Sequence, residues 1–237
     1  MKKSILILVA VAAASTACLV TYISARTPRI GILLGSTRND RSSAKVGAAL
    51  LKIMRPNKKI TAEIIDLRDF NIPFFADATP PATRTVITDP IIQKWSDAIA
   101  HYDGFIIVVP EYNSSFPGVL KNALDSLYVE WNKKPVAFVG YAGGPNGGAT
   151  AVAHLTVVAK GLQMVPVATT ITIPSVWKAF NADGTFIDTT IASQVQHMSD
   201  QLVSIYSSVV RTVINTIKQK AIATYLKCKH ARYKKIA

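Results

Sequence analysis

Cysteine is almost missing: two in 237 residues, Cys18 and Cys228. Two distant thiols without C-x-x-C spacing rule out a disulfide framework, offer no zinc site, and fit a reducing compartment. Acidic residues are absent from both ends. None occurs in 1–29 or 211–237, which hold four and eight of the 27 basic residues, so 15 basic residues face all 14 acidic ones in between. The net charge of +13 therefore sits on the termini and not on a folded body, which excludes the usual pattern of a nucleic-acid-binding module. No internal repeat is present. No G-x-G-x-x-G dinucleotide turn and no Gly-Lys-Ser/Thr phosphate loop occurs. The four histidines, His101, His154, His197 and His230, stand alone in the chain and read as surface or packing residues.

Charge is also missing from Ser4 to Ala25, 22 residues that would make a helix about 33 Å long, enough to cross a hydrocarbon core. The stretch reads as a membrane anchor. The alternatives are a cleaved signal peptide, with small-residue sites at Ser15-Thr16-Ala17 and Ile23-Ser24-Ala25, and then a helix buried in protein. A lipid-modified Cys18 would want leucine where Ser15 stands. With basic residues on both flanks, charge does not set an orientation. Beyond Tyr206, Val210, Ile214, Ile217, Ala221 and Tyr225 continue a helical stripe among basic residues, which suits either a membrane surface or a solvated helix. The chain divides into a hydrophobic segment (1–28), a main domain (29–210) and a basic helical tail (211–237).

Much is present in the middle. Apolar runs read as strands at "RIGILLGST" (29–37), "KITAEIIDL" (59–67), Gly104 to Val109, "KPVAFVGYAGG" (134–144) and "QMVPVATTITI" (163–173). Between them, helical spacing runs from Ser43 to Met54, from Asp89-Pro90 through Ile99, from Pro117 or Gly118 to about Tyr128, and from Gly147 to Gly161. A last long stripe runs from Asp188 to Ile217, and Arg68–Thr88 is a surface loop. Five βα units with strands apolar on both faces predict an α/β fold: a doubly wound, flavodoxin-like parallel sheet in the order 2-1-3-4-5. The hydrophobic segment and the basic tail lie outside it as helices.

In such a sheet ligands bind beyond the carboxyl ends of the strands. Three loops meet there. "GSTRNDRSS" (35–43) offers hydroxyls, two arginines and a helix start, a phosphate cradle. "PEYNSSFPG" (110–118) is fenced by Pro110 and Pro117 and carries a flat Tyr112 beside polar groups. "YAGGPNGG" (141–148) lets backbone lie against a planar ligand. Together they describe a pocket for flavin mononucleotide (FMN).

On "GSTRNDR" (35–41), "PEYNSSFPGVLKNALD" (110–125) and "GYAGGPNGG" (140–148), the chain resembles the NAD(P)H-dependent FMN reductase family, which includes quinone reductases and azoreductases. The likeness covers about residues 29–207. It implies that Ser36, Arg38, Arg41 and Ser43 hold the FMN phosphate. It implies that Pro110, Glu111, Tyr112, Asn113 and Ser114 run along the ring, with Gly143 and Gly144 on its pyrimidine side. Hydride would pass from NADPH or NADH through FMN to a flavin, quinone or similar small acceptor, with no metal and no protein nucleophile. A homodimer or tetramer is implied, Lys121 and Asp125 resembling an inter-subunit ion pair, although their spacing equally makes an i,i+4 pair on one helix. The alternatives are a non-enzymatic flavodoxin-type electron carrier and a membrane-associated partner-binding protein with a vestigial flavin site. A reductase fed by NAD(P)H is expected at a membrane facing the cytoplasm, or exported if the leader is cleaved.

Overall fold

Alternating residues decide where each strand sends its side chains. Along β1 (Arg29–Leu34), Ile30, Ile32 and Leu34 enter one core and Leu33 the other. In β3 (Gly104–Pro110), Ile106 and Val108 join the first core, while Phe105, Ile107 and Val109 join the second. Past the exposed Arg29, both strands are buried throughout and carry no charged residue, because both sheet faces are covered. In a computed structural model, which describes residue 21 and residues 26–233 with side chains placed as far as residue 224, these strands form a five-stranded parallel sheet ordered β2-β1-β3-β4-β5. The apolar stretch 4–25, apart from Thr21, lies outside the described residues, as do residues 234–237.

Helix α1 (Ser42–Met54) and the first part of α5 (Thr190–Tyr233) cover one face. Helices α2 (Pro90–Ala100), α3 (Gly118–Asp125) and α4 (Ala149–Gly161) cover the other. That second core is built on Trp95 and Trp131, both fully buried, with Phe105 edge-on to Trp131 at 5.1 Å. Asp89 caps α2, its carboxylate accepting from the Ile91 and Ile92 N–H groups, with Pro90 in the first turn. Such a cap contributes about 1 kcal/mol.

Several boundaries differ from the sequence reading. β3 and β4 (Pro135–Tyr141) are buried throughout, but β2 (Thr61–Asp66) and β5 (Val165–Ile173) are half-exposed edges. Helix α3 stops at Asp125, short of Tyr128. The Trp95 and Trp131 indole N–H groups donate to the Ala123 and Leu124 carbonyls, and Arg84 donates to that of Ser126, so distant side chains close the helix end. Helix α4 begins only at Ala149, because Gly147 and Gly148 have left-handed φ of 60° and 88°. Helix α5 runs on past Ile217 to Tyr233.

Thr27–Tyr206 forms one compact unit, and the chain from Ser207 onward belongs to a second. Among the described residues no helix is long and apolar enough to cross a membrane.

Candidate functional site

The loops after β1, β3 and β4 converge at the carboxyl edge of the sheet. Ser36, Arg38, Arg41, Pro110, Glu111, Tyr112 and Gly143 line one cleft of about 220 Å³ there. Of the other residues singled out in the sequence, Ser43 lies buried behind the first loop, and Asn113, Ser114 and Gly144 stand exposed at the rim.

The first loop leaves β1 through Gly35, whose N–H donates to the Val108 carbonyl at 2.8 Å. Its Cα sits so close to β3 that a Cβ would lie 2.9 Å from that same oxygen, so Gly35 serves close packing and the tight turn is made by left-handed Asp40 (φ 50°). Helix α1 then starts with no side-chain cap and no acid in its first turn. Backbone N–H groups of Thr37, Asn39 and Asp40 meet no acceptor among the described residues. Exposed Arg38 reaches over the Tyr112 ring, 5.8 Å from its centroid, and the Ser36 hydroxyl meets the Tyr112 hydroxyl at 2.9 Å.

Arg41 differs from Arg38. Its side chain is buried and Nη2 pairs with Asp66 at the end of β2, while Nε and Nη1 find no partner among the described residues. Two unmet donors on a buried guanidinium are costly unless an anion meets them. Ser43 Oγ is also buried, close to the Tyr141 hydroxyl but outside hydrogen-bond geometry with it or any other group. Burial pushes the Tyr141 phenol up to about 12 against the opposing pull of the Ser43 and Ser36 hydroxyls, so it remains a donor at neutral pH.

The second loop answers why a buried strand runs into polar residues between two prolines. Tyr112 and Ser115 exchange backbone hydrogen bonds of 2.7 and 3.0 Å, and the two residues between them, Asn113 and Ser114, are both left-handed (φ 49° and 61°). This is the dihedral pattern of a type I′ turn, normally taken by glycine. Both residues are exposed, and their N–H groups meet no acceptor among the described residues. Glu111 turns away to the third loop. Its carboxylate accepts from Asn146 at 2.7 Å and from the Thr150 and Ala151 N–H groups at 3.2 and 3.4 Å, capping α4 from 39 residues away.

The third loop gives the opposite wall. Gly143 and Gly144 keep free backbone N–H groups, while Gly147 and Gly148 lie against backbone. Lys121 and Asp125 lie on α3 outside the cleft lining and pair with each other along the helix.

Sequence reasoning missed Asp66, Tyr141 and, above all, Trp177. A fourth connection, after β5, brings Trp177 to the cleft, with 71% of its surface exposed. Its position three residues past Pro174, the first proline after strand five, was the available signal. Among the described residues no cluster of metal-ligating side chains occurs.

Free N–H groups, buried unmet donors on Arg41 and a glycine wall fit an anionic cofactor with a planar ring. Fold and cleft together define a flavodoxin-like nucleotide-binding α/β protein. A model of the NADPH-dependent FMN reductase family matches residues 28–178, and the chain belongs to that family. It is 37% identical over 142 residues to an NAD(P)H-dependent FMN reductase of Nectria sp, covering 58% of this chain and 68% of that one. It is 31% identical over 182 residues to an FMN-dependent NADPH-azoreductase of Staphylococcus aureus, covering 73% and 92%. Among solved structures it is similar to the flavoenzyme NAD(P)H:(acceptor) oxidoreductase FerB of Paracoccus denitrificans, with a TM-score of 0.62, 25% identity and coverage of 76% and 98%.

Proposed function

We propose that this protein is an FMN-dependent oxidoreductase that takes hydride from NADPH or NADH and passes the electrons to a flavin, quinone or similar small acceptor. The observation that carries this reading is the convergence of three loops on one cleft, lined by the buried Arg41 with its unmet donors and by Gly143. FMN supplies the redox chemistry when bound. The chain's part is to bind, orient and donate. Arg38, Arg41, Ser36 and Ser43 hold the phosphate, with the uncapped start of α1 behind them. The N–H groups of Asn113, Ser114 and Gly144 face the ring edge, where donors stabilise the negative charge of the reduced form. Pro110 and Glu111 fix the second loop to the third, and Gly143 lets the ring approach.

The reading extends to a homodimer or tetramer, in which Lys121 and Asp125 would exchange partners across the interface. It extends to a membrane-associated protein facing the cytoplasm, held through 4–25 and the basic tail. Purified protein should turn yellow with FMN, bleach with NADPH and oxidise NADPH steadily when a quinone is added. A colourless protein that FMN does not reconstitute would overturn the reading. For the tail, liposome binding that survives deletion of 211–237 unchanged would remove the membrane role.

A further inference from the structure

An exposed tryptophan on a mobile loop is unremarkable, but Trp177 is exposed on a fixed one. Its neighbour Val176 is buried, and Val176 N–H donates to the Ala142 carbonyl at 3.0 Å. Ser175, left-handed at φ 43°, donates to the Gly144 carbonyl at 3.4 Å, and a short 3-10 turn, Val176–Lys178, follows. The backbone under Trp177 is thus laced to the third loop while its indole is left in solvent. The six-membered edge of that indole rests on Gly143 so closely that a Cβ there would overlap Cη2 and Cζ3. Other large apolar side chains are as exposed, Phe74 and Val157 among them, but Trp177 alone of these stands in the lining of the cleft.

We propose that Trp177 is a ring-binding residue: its indole is the aromatic wall of the cleft and contacts the planar ring of the bound cofactor. This deepens the proposed function and rests on it. Tyr112 is a poorer candidate for the wall, because its hydroxyl is tied to Ser36 and its ring lies under Arg38. A stacked aromatic adds affinity that depends on ring area and not on charge. Gly143 is then required for a second reason, since any side chain there displaces the indole.

The chain has three tryptophans, and the other two, Trp95 and Trp131, are fully buried. Labelling with 5-fluorotryptophan therefore gives three fluorine resonances, of which Trp177→Phe removes one and identifies it. Adding FMN to the full-length protein should move that resonance and leave the two buried ones nearly in place. Trp177→Ala should weaken FMN and riboflavin by the same factor, about tenfold, whereas Trp177→Phe should recover most of the loss. Gly143→Ala should shift the Trp177 resonance before any FMN is added. If FMN binds, seen by its own absorbance change, while the Trp177 resonance stays put and Trp177→Ala binds normally, the inference is overturned and the function stands. If FMN does not bind the wild-type protein at all, the functional reading falls and takes the inference with it.

Discussion

The two ends of the sheet use the same unusual backbone to opposite ends. At the amino end, Lys133 and Gln163 are left-handed, at φ 64° and 57°. Both are satisfied: Lys133 N–H donates to the Gln163 carbonyl at 2.7 Å and Gln163 N–H to that of Lys160 at 3.0 Å. Lys134 is drawn in as well, its amine donating to the Ile99 carbonyl at 2.8 Å beside the Phe105 ring. At the carboxyl end Ser175 is also left-handed and satisfied, but Asp40, Asn113 and Ser114 are left-handed with N–H groups that meet no acceptor among the described residues. Strain at one end closes the structure. At the other it leaves donors open for a ligand.

The comparison breaks most sharply at Gly148. Its φ of 88° disfavours any side chain, and a Cβ would lie 2.5 Å from the Tyr141 nitrogen and 2.9 Å from the Gly140 carbonyl carbon. Gly148→Ala should cost about 3 kcal/mol of stability, read as a lower urea midpoint at unchanged slope. A variant as stable as the wild type would show that this corner yields easily. Arg38→Ala comes next and should act on binding alone. It is expected to weaken FMN by about 1.5–3 kcal/mol in a titration while stability moves by less than about 0.5 kcal/mol. Unchanged FMN affinity would take the phosphate role away from it.

At the closed end, burial pushes the Lys134 amine down to about 8, against the opposing pull of Asp103 and Glu130. An unfolded chain keeps that proton to about pH 10.4. Between pH 8 and 10 the unfolded state therefore holds a proton that the folded state has released. Stability should rise across that window by up to about 2 kcal/mol and be flat in this contribution below it. Tyr102 and Tyr141, both raised to about 12 chiefly by burial, act in the reverse sense above pH 10, where the unfolded chain loses its phenol protons first. Lys134→Met should flatten the rise between pH 8 and 10 in denaturation curves taken at each pH; a rise that persists would point to another group. The smallest effect expected is at Glu111. Glu111→Gln weakens a charged cap on α4 and should lower stability by about 1 kcal/mol, measurable as a drop in Tm.

The strand order was readable because β1, β3 and β4 are covered on both faces and carry apolar residues at nearly every position. The three site loops were readable because glycine, proline and hydroxyl residues gather only where strands end. What stayed hidden depends on pairs far apart in the chain. Arg41 reads as a free cation in the sequence, but Asp66, 25 residues on, claims one of its nitrogens. The early end of α3 depends on Trp131 and Arg84, neither within a helical turn of the carbonyl it meets. Asn113 is a residue that tolerates left-handed backbone, but Ser114 carries no local sign of it, and it is the Tyr112–Ser115 bridge that sets both. Trp177 was hidden for another reason: it shares its connection with Phe180 and Phe186, which pack on each other, and an irregular connection has no periodicity to tell a packing aromatic from an exposed one.

The grip of Glu111 on Asn146, Thr150 and Ala151 has a consequence for how this cleft could change over time. Two stretches of chain are clasped by one carboxylate, so an insertion in either would pull the clasp open unless the other lengthened in step. The connection after β5 is tied to the same third loop through Val176 and Ser175, so an insertion there would have to keep those backbone bonds as well.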